Sequence, residues 1–207
     1  MCDHKKIFKC IRECVNPWLL YDCIETDFDQ RVIIREEDKN SKSIDYKIKG
    51  LNKEHTLVIK ADKFKCIYHP RTDCNVVSKL LNPDKTHLFE NCDYIIMTAH
   101  KGSIYCIFLE NKDSGRGKNS KIKSQLEKTK LFWDYFLNLV KYYKISKLDF
   151  KYIFIFSSKR KNAEKEFKHK CNKRMKVFKN KRAEKKVYSI PQRDVHISKL
   201  ISYIMIN

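Results

Sequence analysis

Between Lys5 and Cys14 the apolar positions Ile7, Cys10, Ile11 and Cys14 fall three and four residues apart, and Pro17 follows; this spacing predicts a short amphipathic helix. From Arg31 onward the pattern changes. Val32-Ile33-Ile34, Ile44 to Ile48, Leu57-Val58-Ile59 and Phe64 to Tyr68 are brief β-branched or aromatic runs parted by charges, Gly or Asn, and they predict an antiparallel meander. Pro70 to Asn82 reads as loop with one helical turn around Val76 to Leu81, and Pro83-Asp84-Lys85 is a turn signal.

Two stronger apolar runs follow, Tyr94 to Met97 and Ile104 to Leu109, joined by His100-Lys101-Gly102-Ser103; the short Gly-containing link predicts a β-hairpin. Asp113 to Ser120, with Gly115 and Gly117, breaks the chain before a long helix from about Ser120 to Tyr143. Ile122, Leu126, Trp133, Phe136, Leu137 and Val140 give that helix an apolar face that should pack on a sheet. Tyr152 to Phe156 is almost wholly apolar, as expected of a strand covered on both faces, so a β-α-β crossover is implied. Val195 to Ile206 is apolar enough to return to the core.

Composition adds a soluble, basic character. The chain has 207 residues, enough for one domain with a sizeable core, and 42% hydrophobic residues to fill it. Charged residues make up 34%, and no run of about 18 apolar residues is present, so a cytoplasmic protein without a signal core is expected. Lys and Arg total 45 against 25 acids, a formal net charge of +20 that points to a polyanionic partner, nucleic acid first. A Lys-rich, merely solubilising surface is the plainer alternative. The densest stretch, Lys159 to Lys186, has fourteen Lys or Arg against three Glu; Phe167, Met175 and Phe178 punctuate it, and a basic helix or helical pair is expected there. Nine Cys, an odd number without C-x2-C pairs, read as reduced thiols. Cys2, His4, Cys10 and Cys14, and separately Cys66, His69 and Cys74, lack structural-zinc spacing, and His87, His100 and His169 show no partner spacing.

The chemistry gathers at the hairpin. Asp93 opens its first strand and Glu110-Asn111-Lys112 closes its second, and in antiparallel neighbours the start of one strand lies beside the end of the next. Residues two apart share a face, so Glu110 and Lys112 project together and Asn111 points away. Two carboxylates at one sheet end suit a divalent cation, Mg2+ before others with Mn2+ as a substitute, and Lys112 could orient a water and stabilise phosphate charge. A surface ion pair at a sheet end is the plain alternative.

These residues resemble the PD-(D/E)xK superfamily of restriction-endonuclease-like nucleases over roughly Asn91 to Phe156, with Asp93 as the family's Asp, Glu110 and Lys112 as its (D/E)xK, and the helix and strand in the expected order. Gln125 resembles a helix Gln that supports the metal and phosphate site in several branches, and Glu90 is an added carboxylate. Cys92 stands where that pattern often has Pro. Small prokaryotic proteins of this type are similar over Cys92 to Ile96, Phe108 to Lys112 and Gln125 to Thr129. Glu13, Glu36 and Glu127 lack the strand context that singles out Glu110.

The resemblance implies an α/β fold: a restriction-endonuclease-like mixed central sheet flanked by helices, with an N-terminal β-rich part. It implies one domain over 1–207, a nuclease-like core at about 55–158 and a basic helical segment at about 159–190. Its implied activity is Mg2+-dependent hydrolysis of phosphodiester bonds in DNA, in restriction or anti-invader defence, as a homodimer or a complex subunit and without a membrane. Lys170, Lys173, Arg174 and Lys176 would bind phosphates. A non-catalytic nucleic-acid-binding module and a basic RNA-associated protein are the competing classes.

Overall fold

The computed structural model describes residues 4–15, 17–20, 24–26, 29–34, 46–61, 91–112, 119–143, 149–158, 177–180, 183–191 and 194–206. Its centre is the predicted hairpin, β5 (Tyr94–His100) and β6 (Ser103–Lys112), paired from Tyr94↔Leu109 to His100↔Ser103. The two loop residues Lys101 and Gly102 both have positive φ, 47° and 75°. That is the turn whose twist matches the flanking strands, and it asks for left-handed backbone at both positions, natural for Gly and costly for Lys.

β4 (Thr56–Lys60) pairs antiparallel with β5, while β7 (Phe150–Ser158) runs parallel to β6 after the long helix α2 (Asn119–Tyr143). The β6-α2-β7 crossover is therefore present. The sheet continues past residue 158: β9 (Ala183–Pro191) lies parallel to β7, and β8 (Val177–Asn180) lies antiparallel to β9, giving the order β4-β5-β6-β7-β9-β8. Here the expected helical segment at 159–190 is corrected over its last part, which is strand. The charge count hid a strand pattern: Val187, Tyr188 and Ile190 lie in β9, whose backbone pairs with the open edge of β7, and Ile190 is buried against the core. Residues 159–176 lie outside the described residues.

A second sheet, ordered β1-β2-β3-β10, is built from β1 (Ile24–Thr26), β2 (Asp29–Ile34), β3 (Tyr46–Lys49) and β10 (Val195–His196). β2 and β3 pair antiparallel, as the meander predicts; β1, which precedes the predicted runs, pairs antiparallel with β2, and β10 joins β3 in parallel. Leu57 to Ile59 do not belong to that meander, because β4 is buried on both faces and pairs with β5. Phe64 to Tyr68 and Pro70 to Asn82 lie outside the described residues. Gly50 (φ 73°) ends β3, and any Cβ there would collide with the His196 ring of β10.

Strand parity sorts the core into two layers. Ile95, Met97, Cys106, Phe108, Phe154 and Phe156 face one way, against α1 (His4–Cys14) and the Leu126, Trp133, Leu137 and Val140 stripe of α2. Tyr94, Ile96, Ile107, Leu109, Ile153 and Ile155 face the other way, against Val32, Ile48 and α3 (Ile197–Ile206), so the apolar C-terminal stretch does return to the core. Each fully buried Ile, Leu or Phe contributes about 1.5–3 kcal/mol, and the stacked Phe108–Phe154 pair, 5.4 Å between ring centroids, joins β6 to β7. α1 is pinned at its end by Arg12, whose guanidinium donates to the carbonyls of Lys53 (3.1 Å) and Thr56 (2.8 Å). The architecture is mixed α/β, two mixed sheets with three helices among the described residues, and no described helix is long and apolar enough to cross a membrane.

The hairpin turn is testable through the residue least suited to it. Lys101→Asn, which tolerates left-handed backbone, is expected to stabilise the fold by about 0.5 kcal/mol, a rise of roughly 1–2 °C in Tm by thermal unfolding. A fall in Tm would refute the left-handed assignment at that position.

Candidate functional site

Asp93 immediately precedes β5, and its carbonyl accepts a hydrogen bond from Ala61 N–H (2.9 Å), which carries the β4–β5 pairing one step beyond the strand. The pair Tyr94↔Leu109 sets the next two residues, Asp93 and Glu110, opposite each other. Directly opposed residues of antiparallel strands have Cβ atoms about 5 Å apart. By parity both sit on the face shared with Ile95 and Phe108, the one covered by α1 and α2. Glu110 is 0% exposed, Asp93 half-buried. One oxygen of Asp93, Oδ2, accepts the backbone N–H of Asn111 at 2.6 Å, a short bond of the kind an ionised acceptor makes.

α2 holds the approach to Asp93. Cys92 N–H donates to Thr129 Oγ1 (2.8 Å), and the same hydroxyl donates to the Gln125 carbonyl (2.8 Å). Gln125 Nε2 donates to the Asn91 carbonyl (3.2 Å), so two side chains one helical turn apart grip two consecutive residues before the strand. Thr129 is fully buried, and its hydroxyl uses both donor and acceptor capacity, as burial requires. No donor among the described residues reaches the buried Gln125 Oε1.

On the opposite face, Asn111 is buried in register with Ser157 of β7, whose Oγ donates to Asn111 Oδ1 at 2.7 Å. Asn111 thus points away from Glu110, as its parity requires, and ties the end of β6 to β7. Its backbone meanwhile faces sideways to Asp93. The three strand ends are fixed to one another through this residue.

The Cys92 thiol reports the local potential. Burial pushes it well above its ordinary value, and the negative charges of Glu110 and then Asp93 add to that, while the Thr129 hydrogen bond works the other way. Both carboxylates therefore act on one buried point. Hard oxygen donors in such a pair suit Mg2+, which takes one or two carboxylates and fills its remaining positions with water or phosphate oxygens. Among the described residues no group of three or more His, Cys, Asp or Glu could hold a metal ion.

Other expected residues fall as follows. Lys112 ends β6, paired with Ser158; its side chain lies outside the described residues, as do Glu90, Lys170, Lys173, Arg174 and Lys176. Cys2, Cys66, His69, Cys74, His87 and His169 are outside them too. His4, Cys10 and Cys14 share α1 without forming a metal group. His100 lies at the opposite end of β5 from Asp93, its pKa lowered by burial and then by the charges of Lys101 and His196.

Thr129 and Ser157 are the residues that sequence reasoning missed. A signal for Thr129 was present, since it stands one turn after Gln125 on the buried side of a helix where a hydroxyl must find a partner. Ser157 carried none, because its role depends on the β6–β7 register. Thr129→Val removes the hydroxyl at constant shape and leaves the Cys92 N–H unmet. A loss of about 1–3 kcal/mol in urea unfolding is expected, with Thr129→Ser within about 1 kcal/mol of the native chain. Equal stability of Thr129→Val would remove the clamp from the account.

Comparison of the chain with protein-family models, with curated proteins and with solved structures gives no match.

Proposed function

We propose that the chain is a metal-dependent phosphodiesterase that cuts nucleic acid, DNA in preference to RNA, at the end of the sheet marked by Asp93, Glu110 and Lys112. The observation that carries this reading is the β5–β6 register, which sets Asp93 opposite a fully buried Glu110. The order α1, three antiparallel strands β4 to β6, α2, then a parallel β7 is compatible with a restriction-endonuclease-like core. The charge of +20 supports a polyanionic substrate.

Asp93 and Glu110 would hold Mg2+. When bound, the ion supplies Lewis acidity and lowers the pKa of a water. The chain's own residues do the rest. Asn111 N–H keeps one Asp93 oxygen in place beside the end of β6. Lys112, two residues beyond Glu110 in β6, orients the attacking water and stabilises charge on the phosphate oxygens. Gln125 holds the Asn91 carbonyl two residues before Asp93 and so steadies the approach to the pair. The basic segment around Lys170, Lys173, Arg174 and Lys176 grips phosphates along the backbone.

A second reading draws on one observation: Glu110 is completely buried, and Asp93 already serves the Asn111 N–H, as a purely structural pair would. On that reading the chain binds nucleic acid without cutting it, as a subunit of a larger complex.

Plasmid and single-stranded substrates incubated with Mg2+, Mn2+ or EDTA separate the two. Cutting is expected with either metal and not with EDTA, and Glu110→Gln or Lys112→Ala should lower the rate by about 100-fold or more. Tight binding with no cutting under any metal would sink the catalytic reading in favour of the second. Substituting Lys170, Lys173, Arg174 and Lys176 together by Ala should weaken binding and flatten the log–log salt slope by up to about 3 to 4; an unchanged slope would place the phosphate contacts elsewhere.

A further inference from the structure

α2 is apolar on two opposite sides. One stripe, with Leu126, Trp133, Leu137 and Val140, is buried on the sheet. The other is not. Leu131, Tyr135, Leu139 and Tyr142 follow each other at steps of four, four and three residues, and are 69%, 65%, 42% and 83% exposed. A helix with large apolar side chains all round belongs in contact on both sides. Isolated surface leucines are ordinary, whereas four large residues in one continuous stripe of three helical turns form a patch of the size that marks an interface.

We infer that this outer face of α2 pairs two copies of the chain, helix against antiparallel helix, about a twofold axis at Tyr135. A twofold contact needs a surface complementary to itself. With Tyr135 on the axis, Tyr135 meets its own counterpart, Leu131 meets Leu139 of the second copy, and Tyr142 reaches the helical turn around position 128 of the second copy. The antiparallel helices also oppose their dipoles favourably.

Neighbouring charges are already directed elsewhere. Lys130 is paired with Asp134 and also lies over the Tyr152 ring (4.1 Å to the centroid), and Lys141 lies over the Phe150 ring at 6.0 Å. From the exposures above and about 200–250 Å2 per large side chain, each copy offers about 550 Å2. Two copies would bury about 1,100 Å2, just above the roughly 1,000 Å2 that a specific interface needs. The apolar stripe does not suit a polyanion. The buried side of α2, which bears Gln125 and Thr129, takes no part, so this pairing stands or falls independently of the proposed activity.

Charge gives the pairing a distinctive sign. Each copy carries +20, so two copies repel at long range, and screening should strengthen an apolar contact between them. Association through bound nucleic acid weakens with salt instead. Sedimentation of the full chain, freed of nucleic acid, at low and high salt is the test. A dimer is expected at concentrations of tens of micromolar, about 10 μM or above, with the dimer fraction rising with salt. Leu131→Glu and Tyr135→Glu should raise the dimer Kd by about 30-fold or more, and the uncharged Leu131→Gln by about 5-fold, with Tm close to that of the native chain in each. A chain that stays monomeric at both salt concentrations, a dimer that weakens with salt, or one that survives all three substitutions would each overturn the pairing.

Discussion

The register of the β5–β6 hairpin is the constraint on which the other features rest. Both faces of this sheet are covered, one by α1 and α2 and the other by the second sheet and α3. A slip of one residue would exchange the two faces at every position, turning Phe108 away from α2 and Glu110 toward the layer of Ile107 and Leu109. The two-residue turn at Lys101 and Gly102 excludes that slip, because a different register needs a different loop. Lys101 pays for it with a left-handed backbone that its side chain disfavours.

From that register follows a buried polar layer at the end of the sheet away from the hairpin turn. Glu110, Asn111, Ser157, Gln125 and Thr129 are all buried, and all lie near the ends of β6 and β7 or on the helix that covers them. At the hairpin end the polar side chains are His100 and the Thr56–Thr98 pair, which bond across β4 and β5 at 3.0 Å. Burying polar groups costs little when each is matched and a great deal when one partner is removed. The hydrogen bonds of Thr129, Gln125 and Ser157 therefore tie the strand ends around Asp93 and Glu110 to α2 and to β7.

α2 connects this framework to the surface. Its first half contributes Gln125 and Thr129 to the buried polar layer, its middle fills the core with Trp133 and Leu137, and its outer side presents Leu131 and Tyr135 to solvent. One helix thus serves the sheet end, the hydrophobic core and an exposed apolar stripe. The separation is possible because positions three and four apart share a side, while positions two apart are nearly opposite.

The sequence by itself determined the elements with strong periodicity: α1, the hairpin, α2, the buried strand β7 and the return of the C-terminal stretch to the core. It also placed Asp93 and Glu110 at the same end of adjoining strands, and the observed register sets them opposite each other. It did not reveal that β4 leaves the meander for the central sheet, or that β8 and β9 extend that sheet where Lys and Arg dominate. Nor did it reveal that Thr129 and Ser157 complete the polar layer. Those outcomes were decided by the tertiary structure, because they depend on which strand edge stays open and which side chain arrives opposite a buried donor or acceptor, and neither is encoded in the spacing of residues along the chain.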